Sequence, residues 1–197
     1  MPRLVDLTQT LRAGMRGVAW ETAATLERQG WNARTLHLYS HTGTHMDAQA
    51  HFAAGPETIE CIPLERCMGP AWVVDIPGLA PRALITVDHL GDVQKQFHPG
   101  DSLLLRTGWG RFVDEPSIYR DGLPRIGEDL ALWCANHSVK ILGVEPPSVA
   151  DVNNLDEVTR IHKILLTAGV VIVGGLANLE AISSRRVQFT ALPLKID

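Results

Sequence analysis

Between Ser40 and His51 the chain reads Ser-His-Thr-Gly-Thr-His-Met-Asp-Ala-Gln-Ala-His, which sets three imidazoles and a carboxylate within eleven residues, His41 to His51. Half of the eight histidines lie between His37 and His51. Neutral imidazole and carboxylate together form the ligand set that suits Zn²⁺ and its first-row neighbours. A metal site is therefore the leading expectation, with a polar surface loop or hydrogen-bonded structural histidines as the competing ones. His37, His41 and His45 are spaced by four, as on one face of a helix. Ser40, Thr42, Gly43 and Thr44 oppose a helix, because hydroxyl residues and glycine disfavour helix interiors. Thr35 to Ser40 alternates like a strand. A strand running into a Thr-Gly-Thr turn would deliver His41, His45, Asp47 and His51 from an irregular segment, and backbone freedom at Gly43 would let it fold around an ion.

The rest of the chain predicts an α/β protein. Short runs rich in β-branched residues recur at Ala71–Ile76, Ser102–Thr107, Val139–Val144 and Val170–Val173, and they read as buried strands. Helical patterns lie between them. One starts at Thr86 and carries Leu90, Val93 and Phe97. A second runs from Glu128 to His137, and a third from Asp156, taken as its cap, to Ala168. Strands alternating with helices define the class. The segments Glu60–Met68 and Arg111–Gly127 read as loops, the latter long enough for a lid or a plain surface loop. At 197 residues one domain, 1–197, is expected.

Composition excludes several functions. A net charge of -4 leaves no basic footprint for nucleic acid. No apolar run is long enough to span a membrane, and Asp6 interrupts any early signal-type block. Three cysteines, Cys61, Cys67 and Cys134, are an odd number without a Cys-x-x-Cys pair; they read as free thiols in a reducing cytoplasm. No Gly-x-Ser-x-Gly elbow supports a serine nucleophile.

His162 falls on the apolar stripe of the Asp156–Ala168 helix. Such a histidine alone is most simply a satisfied core residue. Beside the first cluster it becomes a candidate ligand from a rigid element. His89, His98 and His137 read as surface or helix-end residues, and His37 as a strand residue or a partner to a ligand. Trp20 and Trp31 are candidates for a flat wall against an aryl ring, with a place in the core as the simpler expectation for each.

The run His41-Thr-Gly-Thr-His45-x-Asp47-Ala-x-x-His51-Phe52 resembles the signature of the metal-dependent cyclase-like hydrolases, a family that includes kynurenine formamidases and isatin hydrolases. Leu4–Gln9 is similar to the family's opening strand. Ile62-Pro63-Leu64, Leu105 to Trp109, Gly143 to Ser148, His162 to Leu166 and Gly175 to Leu179 are similar to its other blocks. The resemblance implies a swivelling β/β/α-type α/β fold with a mixed central sheet and flanking helices, as a homodimer or larger homo-oligomer. It implies Zn²⁺ or Mn²⁺ on His41, His45, Asp47 and His162, and His51 as the catalytic acid/base. The substrate it implies is a small aromatic amide, either N-formylkynurenine or a cyclic amide such as isatin. Metal-bound hydroxide would attack the amide carbonyl, and His51 would pass a proton to the leaving amine.

One position departs from this pattern. The formamidases carry a glutamate that bridges two ions where this chain has Gly174. The implied outcomes are one strongly bound ion with a second weak or absent, replacement by Glu145, Asp151 or Glu180, or a binding protein without catalysis.

Overall fold

The computed structural model describes residues 3–196. Two strands, β1 (Val18–Ala24) and β2 (Ala33–Leu38), pair antiparallel as a separate ribbon around the short helix α1 (Leu26–Gln29). The next strand is β3 (His45–Asp47), followed by β4 (Met68–Asp75) and a small β5 (Leu84–Ile85). Helix α2 (Val93–Gln96) leads to β6 (Ser102–Arg106), and α3 (Pro116–Asp121) to β7 (Arg125–Ile126). Helix α4 (Glu128–Asn136), β8 (Ile141–Val144), α5 (Leu155–Thr167), β9 (Val171–Gly174) and β10 (Arg186–Thr190) complete the chain. The six-stranded sheet has the order β10-β4-β6-β8-β9-β3. Its four inner strands are parallel and both edge strands are antiparallel. This is the mixed central sheet with flanking helices that the family resemblance implies.

The inner strands are apolar on both faces because both are covered. Alternation divides their side chains. Trp72, Val74, Leu103, Leu105, Leu142, Val144 and Ile172 face one way and pack with Leu130 and Cys134 of α4 and Ile161 and Leu165 of α5. Val73, Leu104, Ile141, Val171 and Val173 face the other way, against Ile62, Cys67, Leu176 and Phe189. Two of the thiols, Cys67 and Cys134, are thus core residues, whereas Cys61 is exposed. Burial pushes the Cys134 thiol up to about 12, so it packs as a small apolar group.

Four local expectations are corrected. Leu4–Gln9 does not join the sheet; it runs beside Ala177, whose N–H donates to the Leu7 carbonyl over 2.9 Å. The helix expected from Thr86 is broken. A 3₁₀ turn at Val87–Leu90 stops at Gly91, and α2 begins only at Val93. Gly91 has φ 52° and ψ -128°, which no helix can continue through. Helix α5 is capped by Asn154 rather than Asp156: its side-chain oxygen accepts from the Glu157 N–H over 3.1 Å. The segment Arg111–Gly127 is not a plain loop, since it contains α3 and β7.

Candidate metal centre

Strand β3 lies at the sheet edge, where His45 is paired with Gly174 and Asp47 with Ile172 of β9. Side chains two apart on a strand share a face. His45 and Asp47 therefore point the same way, while Met46 between them packs into the apolar cluster on the other side. A 3₁₀ turn over Gln49–Phe52 follows and brings His51 back toward the strand. Helix α5 precedes β9 in the chain and presents His162 to the same spot. Three separate elements thus meet at the edge of the sheet.

Asp47 is the centre of the group. It is 4% exposed. Its Oδ1 lies 2.9 Å from His41 Nδ1 and 3.8 Å from His45 Nε2, and its Oδ2 lies 3.7 Å from His162 Nε2. One ligand atom from each of His41, Asp47 and His51 falls within 4.8 Å of the others. The rings of His41 and His51 are 4.1 Å apart, and those of His51 and His162 are 5.8 Å apart. The structure therefore brings together all five residues that the sequence singled out as metal ligands and acid/base. Phe52 stacks on His162 at 4.3 Å and fixes its ring plane.

Two imidazoles have their tautomers set by neighbours. His45 Nδ1 is 3.1 Å from the Gly43 carbonyl, and His162 Nδ1 is 2.7 Å from the Val158 carbonyl. A carbonyl can only accept, so each Nδ1 carries the proton and each Nε2 keeps its lone pair for the centre. Gly43 achieves its turn with φ +61°, and a Cβ there would strike Leu11 at 2.6 Å. Burial lowers the pKa values of His45 and His162. It also lowers that of His51, to about 4. Neutral imidazole is the form that binds metal. For Asp47, burial acts to raise the pKa. The close His41 contact, with His45 and His162 around it, outweighs that and holds the carboxyl below its ordinary value.

These residues fit a divalent ion. Asp47 Oδ1 is buried without a hydrogen-bond partner of acceptable geometry, although His41 Nδ1 is 2.9 Å away. An orphaned carboxylate oxygen is costly in the interior. Ligand atoms around one zinc ion stand about 3 Å apart with metal–ligand distances near 2 Å. The crowding of these atoms is what a shared cation would relieve.

The alternative carboxylates are engaged elsewhere. Glu145 Oε2 accepts from the Thr107 N–H and hydroxyl over 2.7 Å each and from the Trp109 N–H over 3.1 Å. Asp151 accepts from Arg82 over 2.6 Å and from the Asn153 N–H over 3.0 Å. Glu180 is exposed on a turn. None replaces a ligand at Gly174. A Cβ at Gly174 would lie 2.9 Å from His45 Cε1 and 3.3 Å from Nε2. Gly174→Ala should therefore tilt the His45 ring and weaken zinc affinity by about tenfold or more, read by competition with a chromophoric chelator.

The group opens into a cavity of about 720 Å³, lined also by Gln9, Arg12, Arg16, Tyr39 and Tyr119. This size suits one aromatic ring with substituents. Helix α3 and the residues before it contribute Val113, Asp114, Ser117 and Tyr119 to the wall. The segment expected as a lid or loop is thus part of the cavity wall. Neither Trp20 nor Trp31 lines this cavity. Trp20 lies on β1 beneath the Arg34 guanidinium, 5.1 Å from its ring centre, and is not among the residues lining the cavity. Trp31 is 58% exposed. Neither is a core residue, because the β1–β2 ribbon stands apart from the sheet. His37 is a surface residue facing Glu21 at 3.4 Å. Tyr39, Tyr119 and Gln9 escaped the sequence reading, since no local pattern separates a wall residue from any other polar or aromatic one.

A buried histidine–carboxylate centre at the edge of a mixed α/β sheet, open to an aryl-sized cavity, defines the class of metal-dependent hydrolase-like proteins. The chain belongs to the Cyclase family, whose model matches residues 5–151. It is 30% identical over 177 residues to the kynurenine formamidase of Salinibacter ruber, covering 90% of this chain and 79% of that protein. It is likewise 30% identical over 202 residues to the kynurenine formamidase of Erythrobacter litoralis, covering 98% and 88% respectively. Among solved structures, isatin hydrolase A from Labrenzia aggregata superposes with a TM-score of 0.88 at 21% identity, over 99% of this chain and 88% of that one.

Proposed function

We propose that this chain hydrolyses the C–N bond of a small aromatic amide, foremost an arylformamide such as N-formylkynurenine, giving the aryl amine and formate. The observation that carries this reading is Asp47: a buried carboxylate with an orphaned oxygen, ringed by imidazoles beside an aryl-sized cavity. The likeness to kynurenine formamidases over nearly the whole chain supports the substrate class.

His41, His45, Asp47 and His162 are assigned as the residues that hold Zn²⁺ or Mn²⁺, with one ion bound strongly. Such an ion supplies Lewis-acid polarisation and lowers the pKa of the attacking water. His51 takes the proton from water during attack and returns it to the leaving nitrogen, a role suited to an imidazole at the open side of the cluster. His45 and His162 are held in one tautomer by their carbonyl partners. Phe52 keeps the ring of His162 fixed.

A second reading is a cyclic aryl amide of the isatin type. Gly174, which leaves one carboxylate for the whole centre, and the fold likeness to isatin hydrolase A favour it. The assembly we propose is a homodimer or larger homo-oligomer. Its support is the ribbon's exposed Trp31, Leu36, Leu38 and neighbouring Tyr39. A reducing compartment such as the cytoplasm agrees with three unpaired thiols. No described helix is long and apolar enough to cross a membrane.

The test joins elemental analysis of protein purified without added metal to absorbance assays with N-formylkynurenine and isatin. We expect about one transition-metal ion per chain. Turnover of one of the two substrates should disappear with chelator and return with Zn²⁺ or Mn²⁺. Full metal loading without turnover of either compound overturns the hydrolase assignment.

A further inference from the structure

The cavity holds a hydrogen-bond chain whose polarity is fixed from one end. The Tyr119 hydroxyl lies 2.7 Å from the Glu145 carbonyl oxygen, and the Gln9 Nε2 lies 2.8 Å from the Tyr119 oxygen. The carbonyl can only accept, so the phenol proton points to it. The phenol oxygen then offers only lone pairs to Gln9. The group facing it must be the amide NH₂, which settles the orientation of the side chain without reference to an assigned flip. Burial pushes the Tyr119 phenol well above its ordinary range, so it stays protonated at neutral pH. Gln9 is held at its backbone as well. Its N–H donates to Thr44 Oγ1 over 2.9 Å, and that hydroxyl donates to the Gly175 carbonyl over 2.6 Å.

Gln9 Oε1 is therefore an acceptor of fixed direction. Among the described residues it has no hydrogen-bond partner, and Gln9 lines the same cavity as His41, His45, Asp47, His51 and His162. It also lies beside the Thr42–Thr44 turn that runs between His41 and His45. A Cβ at Gly175, next to Gly174, would lie 3.2 Å from Gln9 Nε2, and one at Gly43 would lie 3.8 Å from Gln9 Cβ.

We infer that Gln9 is a substrate-positioning residue whose Oε1 accepts the N–H of the scissile aryl amide, so that the site selects secondary amides over N-alkylated ones. This rests on the amide-hydrolase reading above. Arylformamides and isatin each carry one N–H at the reacting nitrogen, and no other donor lies beside the bond to be cut. An amide N–H is a stronger donor than the N–H of an aryl amine. The contact therefore acts on substrate affinity, and it weakens once the C–N bond is cleaved.

The test is calorimetric binding of isatin and N-methylisatin to zinc-loaded protein carrying His51→Ala to suppress turnover. This parent should prefer isatin by about fivefold to tenfold, the effect of one neutral hydrogen bond. Adding Gln9→Met should remove that preference by weakening isatin alone, with zinc content and melting temperature unchanged. Tyr119→Phe, which frees the Gln9 amide to rotate, should reduce the preference in part. Absence of any preference in the parent, or a preference that survives Gln9→Met, overturns the assignment. Failure of the unmutated protein to hydrolyse both N-formylkynurenine and isatin would instead count against the hydrolase reading, since the binding comparison does not depend on turnover.

Discussion

Asp47→Ala yields a protein that no longer retains zinc, with affinity lower by at least about 100-fold. Removing groups that merely orient metal ligands costs 10–100-fold, and Asp47 stands nearer the centre than any such group. Its carboxylate lies 2.9, 3.8 and 3.7 Å from the imidazoles of His41, His45 and His162, a position no other carboxylate among the described residues holds. The metal-free state should respond as well. There the His41 contact, with His45 and His162 around it, holds the buried Asp47 carboxyl below its ordinary pKa, and taking away one partner of a buried polar group is destabilising. The metal-free variant should therefore melt below the metal-free parent. The rise in melting temperature on adding Zn²⁺, which follows from binding to the folded state alone, should vanish. Thermal melts with and without zinc give both answers. A variant that keeps its zinc-dependent shift would show that the ion sits elsewhere.

His51→Ala should behave differently. The protein keeps its metal and loses turnover by about 10²–10⁴-fold, the range set by removing a positioned general acid/base. His51 comes from the 3₁₀ turn after β3, and it is the most solvent-exposed member of the cluster. Asp47, by contrast, is almost wholly enclosed. The two variants thus separate holding the ion from moving the proton. The compact His41–Asp47–His51 grouping makes the outcome informative. If His51→Ala loses zinc as Asp47→Ala does, His51 is a ligand and the acid/base must be sought among the other cavity groups. A variant that turns over substrate at the parent rate would remove His51 from the reaction altogether.

Much of the centre was legible because its ligands are close in the chain. His41, His45, Asp47 and His51 fall on one strand and its two flanking turns. A period-2 strand places His45 and Asp47 on one face whatever the remaining fold does. The long-range member, His162, was legible only as an exception to the apolar stripe of its helix. The inner strands announced themselves as apolar runs, because both faces of a parallel sheet are covered.

Other features had no local signature. The fate of Glu145 depended on the Thr107–Trp109 turn reaching it across 38 positions, which turned a candidate ligand into a loop anchor. The separation of the β1–β2 ribbon from the sheet placed Trp20 and Trp31 outside both the cavity and the core. Gly91 broke a helix that periodicity alone would have continued. Residue types and spacing determined the α/β class, the free thiols and the imidazole–carboxylate set, since each follows from near neighbours in the chain. Tertiary packing decided which polar groups were left without partners. Asp47 Oδ1, buried beside His41 without a well-formed hydrogen bond, and Gln9 Oε1, unpaired at the cavity wall, owe that condition to the packing around them and not to their place in the chain.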